Sequence, residues 1–382
     1  MKLKSLLVSL LAVSALVACN KENDGGAAAP TDGNGISVTV SIKSSGTRAV
    51  ANDFTAETAI ILTDVTVYFT SGENGNIVDT KTFSQEEITA GKAVFHGINP
   101  SSTHAVVVAN ANSLLSPAPT SVSELDNITL TMGNMQDLAA VPLKSNVGQL
   151  VANTDHVAPD DGSEDDVTVD YRKVTLNVAP VLARIEIGGT LKMTATGSNA
   201  GGVFAYTQFT PEYVGLNGLY ENGKLGGTTD GSLITANDNQ TGFPVLSGTT
   251  TPTWMYNAFD AADKQDMIAA GGNPVALSKV YAYNVMPGEK PVVMLRFDSK
   301  PLPADQIPGD VKTASPAYLK IVNFTDDASS PVTIEPGKIY TIKDITFDQD
   351  KITWLDNTVL CVEAIVHVQD WEIKDLDPEF GE

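Results

Sequence analysis

Residues 35 to 50 read Gly-Ile-Ser-Val-Thr-Val-Ser-Ile-Lys-Ser-Ser-Gly-Thr-Arg-Ala-Val, and the rest of the chain is best understood from this stretch. Ile36, Val38, Val40 and Ile42 alternate with Ser37, Thr39 and Ser41, the period of a β-strand with one apolar and one hydroxyl face. The segment that follows, Ser44-Ser45-Gly46-Thr47-Arg48, is small, polar and closed by a single Arg, as an exposed tip open to a protease would be. Two readings stand side by side. Either this is a strand that one cut can detach, or it is an edge strand followed by an ordinary loop with an incidental Arg.

Upstream, Met1 to Lys4 supplies a positive end and Ser5 to Val17 an apolar run too short to remain as a membrane span, which is the build of a secretory signal. Leu16-Val17-Ala18-Cys19 ends it as a bacterial lipobox, so residues 1–18 read as a lipoprotein signal peptide and Cys19 as the lipidation site. Acyl chains contribute about 0.8 kcal/mol per buried methylene, enough for a multiply acylated Cys19 to hold a precursor on a membrane. Residues 19–35 are rich in Gly, Ala, Asn and charge and read as a flexible tether.

The chain has 382 residues, enough for two domains with a core each. Its 31 Gly, 20 Pro and 42% apolar residues fit a turn-rich, mainly β protein. The net charge is -22, and residues 49–382 alone carry 19 basic and 43 acidic groups. Such a surface repels nucleic acid. Two cysteines, Cys19 and Cys361, exclude a disulfide framework, and Cys361 reads as a small buried hydrophobe.

Strand patterns recur along the body: Val65, Val67 and Phe69; Ile77 and Val78; residues 93–98; and the continuously apolar 105–109. Ser121 with Glu124 predicts one capped helical turn. Six acids between Asp155 and Asp166 lack EF-hand spacing and read as a solvated loop. Val174, Leu176 and Val178 end at Ala179-Pro180, where a domain boundary is placed, giving domains over 36–178 and 179–382. Residues 203–209, 253–258, 277–285, 293–297, 318–324 and 339–347 continue the strand runs, residues 215–248 form a Gly-rich stretch, and 261–270 predicts a short helix. The whole predicts a mainly β fold of two β-sandwich domains in tandem.

Catalytic chemistry is not legible. His96, His104, His156 and His367 lie far apart outside any metal-ligand spacing, and no nucleophile elbow, phosphate loop or dinucleotide fingerprint occurs. The expectation is no enzyme, no cofactor and no metal. Trp254, Tyr256 and Trp354 have the surfaces to stack on sugars but suit core packing equally. The chain closes with a long strand pattern over 359–374. Val362, Ala364, Val366 and Val368 share a face, and a bulge is expected at Gln369-Asp370 that re-aims Trp371.

The lipobox at Cys19, the strand ending in Thr47-Arg48-Ala49, the crossing segment from Tyr171-Arg172 to Ile187, Lys338-Ile339-Tyr340, and the final Val366, Val368 and Trp371 together resemble the fimbrillins, the major-subunit family of type V fimbriae in Bacteroidales. The resemblance implies two transthyretin-like sandwiches and a lipidated precursor in the outer membrane that ends as an extracellular fimbrium. It implies an Arg-specific trypsin-like protease cutting between Arg48 and Ala49. Ile36, Val38, Val40 and Ile42 then form a placeholder strand, and Val362, Ala364, Val366, Val368 and Trp371 a donor strand for the next subunit. The implied partners are further copies joined head to tail in an adhesive polymer, minor tip and anchor subunits, and that protease. The alternative is a monomeric surface lipoprotein, or a tip or anchor subunit, binding glycan or host protein.

Overall fold

The structure is a computed structural model that describes residues 35–44, 60–154, 170–194, 206–234, 253–268, 274–289, 291–306, 316–326, 329–348, 351–352 and 362–370. Cys19, Arg48, Ala49, Trp354, Cys361, Trp371 and the acidic stretch 155–166 lie outside these residues. The first half contains β1 (Ile36–Ser44), β2 (Val65–Thr70), β3 (Ile77–Thr82), β4 (Lys92–Ile98), β5 (His104–Ala109), β6 (Thr129–Thr131), β7 (Leu143–Ser145), β8 (Gly148–Gln149), β9 (Val151–Ala152) and β10 (Tyr171–Pro180). All but β6 share one nine-stranded sheet whose main order is β3-β2-β5-β7-β10-β1-β4, with β8 on β5 and β9 on β10. That sheet folds over on itself. Phe69 of β2 and Phe83 both meet Phe95 of β4 edge to face, at 6.2 and 5.4 Å between ring centres, although β2 and β4 lie far apart in the strand order.

The second half contains β11 (Ala183–Met193), β12 (Tyr206–Asn217), β13 (Leu219–Lys224), β14 (Thr229–Ile234), β15 (Tyr256–Ala258), β16 (Met267–Ile268), β17 (Val275–Ala276), β18 (Tyr281–Val285), β19 (Val292–Pro301), β20 (Ala317–Thr325), β21 (Lys338–Phe347), β22 (Val362–Ile365) and β23 (His367–Asp370). One sheet runs β17-β11-β21-β23 with β18 on β11, the other β15-β12-β19-β20-β22 with β16 on β12. Ile185, Ile187, Tyr283 and Phe347 from the first share a core with Phe209, Val214, Leu295 and Phe297 from the second, and Phe297 and Phe347 sit 5.6 Å apart across it. The fold is therefore mainly β, two sandwiches in tandem. Val181 and Leu182 still pack into the first core and Ala183 into the second, so the packing changes hands just past Pro180, which itself ends β10 opposite Leu143.

Three departures from the sequence reading have plain causes. Residues 261–268 form no helix: the chain turns at 261–263, and the buried Asp263 accepts hydrogen bonds from the Ser278 amide at 2.6 Å and the Tyr281 hydroxyl at 2.9 Å. The turn itself is closed by the Asp263 amide donating to the Asp260 carbonyl at 2.9 Å, and the two tertiary bonds to its buried carboxylate hold it there against local helix preference. The last strand is interrupted at Val366, not at Gln369-Asp370. There it passes from one sheet to the other, β22 lying parallel to β20 and β23 antiparallel to β21. Finally, the Gly-rich stretch, to which the sequence assigns no strand, carries β13 and β14, and β13 pairs with β14 and with β6 from the first half in a three-stranded sheet across the two domains.

That junction is polar and buried. The Asn284 amide donates to Gln136 Oε1 (2.9 Å), Gln136 Nε2 returns to the Asn284 carbonyl (3.1 Å), and Asn284 Nδ2 donates to the Met135 carbonyl (2.6 Å). Arg184 binds Glu186 (2.8 Å) and Asn284 Oδ1 (3.3 Å) in the same buried cluster. Glu289, only 5% exposed, accepts from the Tyr220 amide at 2.6 Å and the Met286 amide at 2.9 Å. Met286 in turn belongs to the first core, so this carboxylate ties the start of β13 to the end of β18 where the second domain meets the first.

Candidate functional site

β1 is neither free nor at a sheet edge. It lies between β10, to which it is parallel from Ser37↔Tyr171 to Ser44↔Val178, and β4, to which it is antiparallel from Ile36↔Ile98 to Ser41↔Lys92. Further backbone bonds run from the Ser37 amide to the Asp170 carbonyl (3.0 Å) and from the Ile42 amide to the Gly91 carbonyl (2.8 Å). The period-two pattern is realised in full: Ile36, Val38, Val40 and Ile42 are 4%, 0%, 0% and 2% exposed, all within the first core. Ser37, Thr39 and Ser41 take the other face, where Ser37 Oγ and His96 Nδ1 are 2.9 Å apart.

The slot that β1 fills is built by residues from both neighbours. Val174, Leu176 and Val178 of β10 and Ala93, Phe95 and Ile98 of β4 belong to the same core as the β1 aliphatics. Arg172, at the start of β10, donates through Nη1 to the Ser102 carbonyl (2.6 Å) and through Nε and Nη2 to Asp170 Oδ2 (2.9 and 2.6 Å), which fixes the end of the slot where β1 begins. On the other side, α1 (Gln85–Ala90) leads into β4: Ser84 and Glu87 cap each other reciprocally, and Gly91 closes the helix with φ of 62°.

The last strand has a different setting. β22 and β23 each stand at the end of their sheet's order among the described residues, and each pairs with one neighbour, β20 and β21 respectively. Ala364 and Val366 are buried in the second core, and the Val366 amide donates to the Thr325 carbonyl at 2.8 Å. For Val362 and Val368 the structure gives strand position only. The first and last described strands thus occupy opposite kinds of position: β1 is bordered on both sides, whereas β22 and β23 are peripheral in their sheets among the described residues.

Of the aromatic residues considered for sugar stacking, Trp254 is half-buried and packs against both cores, a lining role. Tyr256 stands 6.0 Å from Tyr213, whose ring has the Arg296 guanidinium at 5.4 Å. Among the described residues no three His, Cys, Asp or Glu are grouped to hold a metal ion, and no helix is long and apolar enough to cross a membrane.

Comparison with known proteins finds no matching family model and no matching curated relative. Solved structures do match. A candidate cell adhesion protein from Bacteroides eggerthii DSM 20697 is 18% identical, with 89% of this chain and 97% of that one covered and a TM-score of 0.58. The shared fold spans both sandwiches. A candidate cell adhesion protein from Parabacteroides distasonis ATCC 8503 is 15% identical over 90% of this chain and 99% of that one, with a TM-score of 0.51. The tip fimbrial protein Mfa3 from Porphyromonas gingivalis is 9% identical over 88% and 99%, with a TM-score of 0.39.

Proposed function

We propose that this chain is a structural subunit of a cell-surface fimbria, exported as a lipoprotein on Cys19, cut after Arg48 and polymerised by exchange of one strand for another. The observation that carries the reading is the seat of β1: four aliphatic side chains at 0–4% exposure, on a strand bordered by β10 and β4, with the Arg48 segment following directly. Burial of an aliphatic side chain contributes about 1.5 to 3 kcal/mol, so the empty slot forfeits roughly 6 to 12 kcal/mol before ladder hydrogen bonds. It also leaves two facing strand edges with unpaired amides and carbonyls, a template for β-augmentation. A contact of this kind between one end of a subunit and the slot of the next is heterologous and does not close, so it propagates.

The donor in this reading is the terminal segment containing Val362, Ala364, Val366, Val368 and Trp371. Its peripheral position supports this, because β22 and β23 can peel away without opening the interior of either sheet. Likeness in fold to proteins described as cell adhesion proteins agrees with a surface role, and the same cut that empties the slot frees the subunit from its lipid. The expected partners are other copies of the chain, tip and anchor subunits, and an Arg-specific protease.

The test is trypsin treatment of the full-length protein, followed by mass and size analysis. Release of the segment ending at Arg48, followed by a ladder of oligomers, is the expected result. A trimmed protein that stays a stable monomer sinks the reading, and Arg48→Ala is expected to abolish the ladder while leaving a folded precursor.

A further inference from the structure

An alternating aliphatic strand has one ambiguity. Period two dictates which face is buried, but a slip of two residues returns an apolar side chain to most inward positions. In β1 such a slip puts Val38 in the place of Ile36, Val40 in the place of Val38 and Ile42 in the place of Val40, so three of the four inward positions stay aliphatic and only the place of Ile42 takes a polar residue, Ser44. Something else must hold the register. The ladder with β4 shifts between Ile36↔Ile98 and Val38↔Phe95, so Ser37 faces a bulge made by His96 and Gly97. Gly97 has φ of 65°, the left-handed region. Directly before β1, Gly35 lies against that bulge so closely that a Cβ on it would sit 2.6 Å from Gly97 Cα and 3.0 Å from its carbonyl carbon.

The geometry points to the Gly35–Gly97 contact as a key that sets the register of β1 and holds the slot shut in the uncut chain, a role that rests on the strand-exchange reading above. Backbone cannot swing aside as a flexible side chain can. A slip that brings Ser37 to the Gly35 position drives its Cβ into Gly97. The opposite slip brings Asn34 into the buried place of Ile36, leaving an amide in an apolar core. Only the native register satisfies both ends.

The key also separates the placeholder from its own competitor. The strand pattern over 359–374 contains no glycine, so no residue of it can take the place of Gly35 against Gly97 without a Cβ. It must stop short of Gly97 or push the bulge open. The uncut precursor is thus closed by the one strand that fits, and exchange waits for the cut.

The experiment compares full-length wild type, Gly35→Ala and Gly72→Ala by hydrogen–deuterium exchange read on peptides covering residues 37–42. Gly72 is the control because a Cβ there meets nothing within 4 Å, so it reports the generic effect of Gly→Ala. Gly35→Ala is expected to speed exchange across β1 at least tenfold over both other proteins, with β2 and β5 unchanged. Rates in Gly35→Ala equal to those in Gly72→Ala overturn the key, whatever the trimmed protein does. If wild type trimmed at Arg48 fails to polymerise, the fibre reading falls instead, and the exchange rates of the uncut chains still decide whether the contact holds β1.

Discussion

The sharpest consequence of a removable core strand is that β1 should open separately from the domain it completes. Consider Val38→Ala combined with Val40→Ala. Both side chains are 0% exposed, and each substitution deletes two methyl groups, about 1.6 kcal/mol at 0.8 kcal/mol per methylene, with a cavity contribution that brings each to about 2 kcal/mol. Together they weaken β1 docking by about 4 kcal/mol, which at 1.4 kcal/mol per factor of ten raises the open fraction about a thousandfold. Hydrogen exchange under native conditions measures that opening directly. The expected pattern is a rise of that order in the β1 amides and in the β10 and β4 amides that face it. The β2, β3 and β5 amides on the far side of the folded sheet should move far less. If every amide of the first domain accelerates by one common factor, β1 opens only with global unfolding, and the reasoning that makes it a detachable piece fails.

Three further predictions bear on other parts of the molecule. Burial raises the Glu289 carboxyl from its ordinary range to about 7, against the two amide hydrogen bonds that lower it. The folded state therefore holds this proton more tightly than the unfolded chain, and the contribution of this group to stability is fully present below about pH 4.5 and is lost as pH rises through about 7, by up to about 3 kcal/mol. Denaturant midpoints of Glu289→Gln against pH should lack this slope, even though the amide costs a constant penalty by offering one acceptor where the carboxylate offers two. Asn284→Ala strips the junction of its bonds to the Met135 carbonyl and Arg184, leaves buried polar groups unmatched, and should lower stability by about 2 to 4 kcal/mol in a denaturant titration. Truncation after Asp348 removes β22 and β23 and should abolish oligomers from trypsin-trimmed protein while leaving exchange protection of the first domain intact; undiminished oligomers would exclude this segment as donor.

β1 is legible from its residues because everything it needs is local: four aliphatics at period two and a polar exit. The same holds for Val65, Val67 and Phe69 and for the Val174 to Val178 run. Some local signals are faint. Ser84, Glu87 and Gly91 spell a capped helix, but the segment is only about one turn and a half long, so the Ala90-Gly91 turn that ends it is the stronger mark in the sequence. The last strand looks unbroken in sequence because alternation continues through Val366. Which sheet each half joins depends on β20 and β21, partners that alternation does not name. The third sheet is hidden by Gly223 and Gly231, the first pressed against Met286 where any Cβ would collide, the second at φ of 80°. At the junction, Gln136 and Asn284 find each other across 148 residues, a pairing no spacing announces.

The position of β1 between two neighbours has a mechanical side. Pulled along its own axis, a strand bonded on both flanks must shear two ladders of bonds, whereas one at a margin shears a single ladder. In the proposed polymer, a strand taken up between β10 and β4 would be held by two ladders, where β22 and β23 each have one. Tension along such a polymer would then fall on paired ladders at every link, each of which must fail before the link parts.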